Sequence, residues 1–443
     1  MDKGERETLA VRVAGFAGAG VASEAIVFDH DLGLTRFTHN AIHQNVAQSH
    51  TSVRVRTIVD GRTGVASTNA LDEESLRATV ARAMALAAFA PHDDAAAGLV
   101  ASDSVTAPAG AFDEATARAD PAARAEVARA VFAAAEGSGL WAAGYVTSDR
   151  SGLTVANSAG TLASYDGTSC AINVKANGPD ATGFAETHAV GLAALDGEQT
   201  GGVAAAKAVA ARKPRAVDPG AWTVILESAA AGELLSYFTD HFSAQAYEQG
   251  SSFLSGNLEA ARAVTSLSLI DDYAHPLFAG RPFDFEGYPT RRVPLLEGGV
   301  AALVTDATWA KRLARPNTGH GSPAPNAAGP SPHYVVAGGG SKSKAELIAE
   351  TKRGLLITRF WYIRPVDQKR TIVTGMTRDG TFLIENGEIV CGVRNMRFNQ
   401  SILDALARAE MAVEPVRTGG YGYDMVAPAI KIEAFHFTSG TDF

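Results

Sequence analysis

The sequence predicts an α+β protein of two domains, a mixed sheet-and-helix N-terminal domain and a largely antiparallel β C-terminal domain with a few helices. Three observations carry that prediction. The 443 residues suffice for two or three domains at roughly 100–200 residues each. Stretches that alternate apolar and polar residues, the mark of half-buried antiparallel strands, are separated by a few segments with helix caps and helical spacing. Between the halves, Arg212-Lys213-Pro214-Arg215 and Asp218-Pro219-Gly220 combine charge, proline and glycine as inter-domain linkers do. That cluster sets the domains at residues 1–215 and 216–443.

From Glu24 to Arg56, runs such as Ala25-Ile26-Val27-Phe28 and Val53-Arg54-Val55-Arg56 read as strands. After a turn at Asp60-Gly61, a helix is expected over Leu71–Ala90, opened by Asp72-Glu73-Glu74 where the helix dipole favours negative charge and ended by Pro91. A second helix has Asp120 as cap, Pro121 at its first position and Gly137 just past its end. Strands return from Leu140 to Ala176, and an Ala-rich stretch from Gly202 to Ala211 leads to the boundary. The second half opens with a strand, Trp222–Leu226, and a helix from about Ala229 to Gln249 whose stripe is Leu234, Leu235, Phe238, Phe242 and Ala246. Hairpins are predicted through Glu297-Gly298-Gly299 and Asn386-Gly387. Pro316 to Gly340, rich in Pro, Gly, Ser and Asn, reads as a long irregular loop of the kind that forms lids. Ser343 and Glu346 make a capping box, followed by a strand over Leu355–Ile363.

Composition removes several functions. The net charge of -9 opposes sequence-independent attraction to phosphate backbones or anionic lipid, so neither nucleic acid nor membrane is an expected partner. Cys170 and Cys391 are the only cysteines, too few for a disulfide framework or a four-Cys zinc site. The charged stretch Met1–Glu7 lacks a signal-peptide pattern, and no segment approaches the ~18 unbroken apolar residues of a membrane span. A cytoplasmic protein is the expectation.

None of the eleven histidines is followed by Glu, so no HExxH zinc motif exists, and the nucleophile elbow, Walker A and Rossmann fingerprints are absent too. Weaker constellations remain. His39 and His43 are four apart in an extended segment and share a face if period two holds, so they could converge on a ligand, against the plainer reading as surface histidines. Glu186 and His188 share a face by the same logic but lack a third ligand. The acidic turns Asp271-Asp272 and Asp284-Phe285-Glu286-Gly287 could bind a cation, but without an EF-hand spacing they read as structural, solvated or paired with Arg291 and Arg292.

Several ordered blocks resemble the TldD/TldE (PmbA) family of zinc metalloproteases, the modulator of DNA gyrase family. In the first half these are Arg36-Phe37 with Ile42-His43-Gln44-Asn45, then Asp60 to Asn69, then Val155 to Gly160; in the second, Thr223 to Glu227, Gly250 to Gly256, Phe283 to Arg292 and Leu383 to Gly387. The resemblance implies a helix near Ala229 that carries HExxxH in the catalytic members. Its two His and its Glu fall here on Ser236, His241 and Tyr237, so only His241 keeps its type. A hydroxyl is a feeble zinc ligand beside imidazole, and a phenol with pKa about 10 cannot serve where a carboxylate near 4 is required. Thr418 to Ile432, which matches the region of a Cys ligand, contains no cysteine.

The closer resemblance is thus to the non-catalytic TldE/PmbA branch. It implies no catalytic residue, metal or cofactor in this chain, with zinc held by a TldD-type partner in a heterodimer, or else a homodimer, and an extended or unfolded peptide as substrate. His39, His43 and His241 are then candidates for lining a peptide channel that the Pro316–Gly340 loop helps to enclose. The alternative is a self-sufficient homo-oligomeric metallopeptidase using those same three histidines.

Overall fold

The computed structural model of the protein describes residues 1–94, 96–102, 105–420 and 423–441. The first half builds one antiparallel sheet from β1 (Ala22–Thr38), β2 (Ala41–Val59), β3 (Arg62–Thr68), β4 (Trp141–Asn157), β5 (Leu162–Asn177) and β6 (Thr182–Ala189), in the order β3-β2-β1-β4-β5-β6. Helices α1 (Lys3–Gly15), α2 (Glu73–Ala87), α3 (Glu114–Ala117), α4 (Pro121–Glu136) and α5 (Gly197–Ala210) accompany it. Four of them cover one face. α1 and α2 bury Leu9, Val13, Leu76 and Val80 against Val27, Val53 and Val55, and α4 and α5 bury Val131, Phe132, Ala204 and Ala208 against Phe37, Val146, Ile172 and Val174. Because strand side chains alternate, the even-numbered Ile26, Phe28, Leu32, Leu34 and Arg36 of β1 are left for the opposite face, toward the second half.

The predicted caps are present. Asp72 accepts from the Ser75 amide at 2.9 Å, and Asp120 accepts from the Ala123 amide at 2.8 Å ahead of Pro121; each such cap contributes about 1 kcal/mol. α2 lies close on β3 because Gly64 has no side chain: a Cβ there would sit 2.0 Å from the Ala83 carbonyl oxygen.

The second half contains two sheets. The first, β10-β9-β8-β11-β18-β17, uses β8 (Ser268–Asp271), β9 (Val293–Glu297), β10 (Val300–Ala301), β11 (Val335–Gly338), β17 (Val416–Gly420) and β18 (Tyr423–Ala427). The second uses β7 (Gly220–Leu226), β12 (Arg353–Asp367), β13 (Ile372–Glu385), β14 (Glu388–Gly392), β15 (Met396–Ser401), β16 (Ala409–Met411) and β19 (Ile430–Gly440). Here β12 pairs with both β7 and β13, so β12-β7-β19-β15-β13 close into a ring. Parallel pairing occurs between β7 and β12 and between β11 and β18; the other named pairs are antiparallel. Helix α6 (Ser228–Thr239) shares one core with residues of both sheets, burying Leu234, Leu235 and Phe238. The short helices α7 (Ala244–Glu248), α8 (Ala307–Arg312), α9 (Lys344–Ala349) and α10 (Ile402–Leu406) complete the half.

Two expectations need correction. The single helix over Ala229–Gln249 is interrupted: α6 stops at Thr239, a 3₁₀ turn takes Asp240–Phe242, and Ser243 is extended. The cause is tertiary, since Val304 donates to the Phe242 carbonyl at 2.9 Å and accepts from Ala244 at 3.1 Å. The stretch Pro316–Gly340 is no lid. Thr318 is tied to Thr305, Gly321 donates to Asp284 at 2.7 Å, and β11 is paired between β8 and β18. Among the described residues no helix is long and apolar enough to cross a membrane.

The halves are joined by partly buried polar contacts. Lys207 meets Glu227 at 2.6 Å, Lys175 meets Asp379 at 3.3 Å, and the Tyr165 hydroxyl donates to the Ala279 carbonyl at 2.9 Å.

Candidate functional site

Ser236 and Tyr237 lie on α6 and His241 in the 3₁₀ turn that follows it, and the three side chains point to different partners. The Ser236 hydroxyl turns back to donate to the Glu233 carbonyl at 2.8 Å. Tyr237 donates across to the Ile363 carbonyl on β12 at 2.8 Å, and burial with the nearby Glu233 raises its pKa. His241 falls in the 3₁₀ turn, only 3% exposed, with Phe253 5.2 Å from its ring and the Phe253 amide donating to Nδ1 at 3.4 Å. Burial pulls its pKa down to about 4, so the ring is neutral and serves the core. His241 is a core residue and is not among those lining the cleft between the two halves. A hydroxyl, a phenol and one core imidazole do not fit a zinc ion, and among the described residues no group of three or more His, Cys, Asp or Glu is placed to hold a metal. Within Thr418–Ile432, Tyr421 and Gly422 lie outside the described residues.

The pairing of His39 with His43 also fails, for a backbone reason. His39 and Asn40 have φ of 50° and 56° and form the two-residue hairpin turn, the type I′ geometry that joins β1 to β2. Phe37 pairs with Ile42 but Arg36 pairs with Gln44, which leaves His43 as a bulge residue. Period two breaks between the two histidines. His39 stacks on Trp141 with centroids 4.1 Å apart, and His43 is exposed. The structure brings none of His39, His43 and His241 together.

What the fold does assemble is a cleft of about 630 Å³ between the free face of the N-terminal sheet and α6, β12 and β17. Leu32, Leu34 and Arg36 of β1, Tyr145 and Thr147 of β4, Asn173 of β5 and Phe184 and Glu186 of β6 form one wall. Ala229 and Glu233 of α6, with Arg359 and Trp361 of β12, form the other. No lining residue comes from Pro316–Gly340. α6 reaches this position because Gly232 lets it touch β17; a Cβ there would lie 2.5 Å from Thr418 Cγ2.

Charge in the cleft is unevenly satisfied. Glu186 accepts from the Thr418 hydroxyl and, at 3.4 Å, from the Gly419 amide, and His188 is 3.4 Å away, on the face expected for it. Arg359 binds Asp379 and lies over the Phe184 ring at 4.3 Å. Glu233 makes no ion pair among the described residues; burial, only partly offset by Arg359 and Arg364 and reinforced by Glu186, pushes its carboxyl up to about 7. At the N-cap of α6, outside this lining, Glu227 has two, with Lys207 and Lys344, both at 2.6 Å, and is held down at about 2 despite burial.

Outside the cleft, the acidic turns are structural, with one partner different from expectation. Asp272 meets Arg292 at 3.3 Å. Buried Asp271 faces His320 at 3.3 Å and accepts the amides of His333 and Tyr334. Asp284 accepts three backbone amides, and Glu286 faces Arg56 of the other half rather than Arg291.

Comparison with known proteins agrees with this architecture. Residues 219–439 match the family model described as the PmbA/TldA metallopeptidase C-terminal domain, and residues 34–87 match PmbA/TldA metallopeptidase domain 1. A search of curated proteins finds no match. Among solved structures, TldE from Thermococcus kodakarensis is 22% identical over 97% of this chain and 98% of its own, with a TM-score of 0.86. A protein named as a modulator of DNA gyrase from Thermotoga maritima is 19% identical over 96% and 98%, at 0.85. One from Bacteroides thetaiotaomicron is 20% identical over 100% of both chains, at 0.83. At these identities the structures share the fold, while the two matched family models together span more than half of the sequence, so the chain belongs to the PmbA/TldD family.

Proposed function

We propose that this chain is a TldE-like subunit of a TldD/TldE-type metallopeptidase complex, which acts in the cytoplasm on extended or unfolded peptides. In this reading a TldD-type partner supplies the zinc and the general base, and the present chain completes the enclosure in which the peptide is held. The carrying observation is the divergence of Ser236, Tyr237 and His241. Each is already committed to a partner in its own fold: the one imidazole is held in the core, and the other two positions offer neither the second imidazole nor the free carboxylate that zinc hydrolysis needs. The cleft between the halves has room for a short extended peptide. One wall is a sheet face on which Leu32, Leu34, Tyr145 and Phe184 offer apolar and aromatic contact to an extended chain, beside the polar Arg36, Asn173 and Glu186.

The test compares the purified chain alone with the chain mixed with a homologue bearing HExxxH, using an unfolded peptide and measuring hydrolysis and zinc content. Hydrolysis only in the mixture is the expected result. Chelator-sensitive hydrolysis by the chain alone, with zinc bound stoichiometrically, overturns the reading in favour of a self-sufficient homo-oligomer.

A further inference from the structure

Direct cross-strand pairing places Arg36 opposite Tyr145, Tyr145 opposite Asn173 and Asn173 opposite Glu186. Paired residues share a face of the sheet, and all four line the cleft. Three strand spacings separate the ends of this row, about 14 Å at about 4.8 Å each. The row thus has a guanidinium at one end and a carboxylate at the other. From the opposite wall α6 sets Glu233 within electrostatic reach of Glu186. Among the described residues neither Arg36 nor Glu233 makes an ion pair, and the Arg36 side chain has only a 3.4 Å contact to Gln44.

We propose that the cleft takes a short peptide with its free ammonium group at the Glu233–Glu186 pole and its chain extending toward Arg36. This rests on the reading of the cleft as a peptide site and adds a polarity to it. An extended chain advances about 3.3 Å per residue, so the row spans about four residues. The reverse orientation sets ammonium against guanidinium and carboxylate against two acids, and like-charge contacts of this kind are what exclude wrong binding modes. Glu186 is held in place by Thr418 and Gly419. Among the described residues Glu233 makes no ion pair, and Arg359 and Arg364 act on it only from a distance, so an ammonium group supplies the direct contact that the fold leaves out. Binding then draws the Glu233 carboxyl into its ionised form and releases a proton near neutral pH.

The experiment is calorimetric titration of the full chain with tetra-alanine amide, with its N-acetylated form, and with an N-acetylated form in which one alanine is lysine. The expected result is binding of the free amine about tenfold tighter than the acetylated peptide, with the difference abolished in the isosteric Glu233→Gln variant. Rescue by lysine means that the pole takes a side-chain ammonium as well; absence of rescue restricts it to the chain terminus; both support an ammonium pole. Equal affinity of free and acetylated peptides overturns the ammonium pole and leaves the cleft as a peptide site. Binding of neither peptide overturns both. A preference that persists in Glu233→Gln overturns the role of Glu233, and the acetylation arm decides the matter in the unaltered protein should that variant misfold.

Discussion

Arg56 on β2 and Glu286 in the segment between β8 and β9 face each other at 3.6 Å across the junction of the two halves. The same guanidinium grips Glu24 through two nitrogens, at 2.8 and 3.0 Å. One buried cation therefore answers carboxylates from both halves.

Replacing that cation leaves Glu24 buried without its bidentate partner and removes the charge that favours the ionised form of Glu286. Arg56→Met is expected to lower stability by about 3–5 kcal/mol, the usual penalty for removing one partner of a buried pair. Urea unfolding midpoints measure it, and a loss below about 1 kcal/mol shows the junction to be wet and the pair dispensable.

His241 makes the protein sensitive to acid. Its folded pKa, about 4, lies below the ordinary 6.5, so the unfolded chain takes up a proton that the native core refuses. Its contribution is intact above about 6.5 and is lost as pH falls toward 4, amounting to about 3 kcal/mol across that window. Unfolding of His241→Leu between pH 7 and 4.5 is expected to show a shallower decline than wild type, from a lower starting value because the Phe253 amide loses its acceptor. Parallel declines would show that His241 is not the titrating group.

Glu233 has the opposite sign. Its carboxyl is raised to about 7, so stability is fullest below about 4.5 and falls as pH rises through 7. Glu233→Gln removes this dependence. It is expected to be more stable than wild type at pH 8 by on the order of 1–3 kcal/mol and nearly equal at pH 5. Denaturant midpoints at the two pH values check this, and a variant weaker at both sinks the assignment.

Rebuilding the motif on α6 is expected to fail. With Ser236→His and Tyr237→Glu together, the second imidazole is still locked beside Phe253, so metal analysis is expected to find well under one zinc per chain and peptide assays no hydrolysis. Stoichiometric zinc would mean that His241 leaves the core at little cost.

Helix ends were legible in the sequence because caps are local: Asp72, Asp120 with Pro121, and Ser343 with Glu346 each satisfy amides within three residues of themselves. Asn386-Gly387 was legible for the same reason, with Glu385 paired to Glu388 around it. The break at Ser243 was not, since it depends on Val304, some sixty positions away in the chain. Nor was the bulge at His43, which only the pairing with β1 exposes. Glu186 was singled out beside His188, but Glu233 carried no signal; on α6 it reads as an ordinary polar position until a sheet from the other half arrives opposite it.

The sequence by itself determined the element types, the two-part organisation and the loss of the zinc-binding residue types, because caps, alternation and side-chain chemistry act over a few residues. Only the tertiary structure decided where Ser236, Tyr237 and His241 turn and that Arg36, Tyr145, Asn173 and Glu186 form one row under α6. Both follow from strand register and from the packing of one half on the other, and those contacts link residues too distant in the chain for any local pattern to encode.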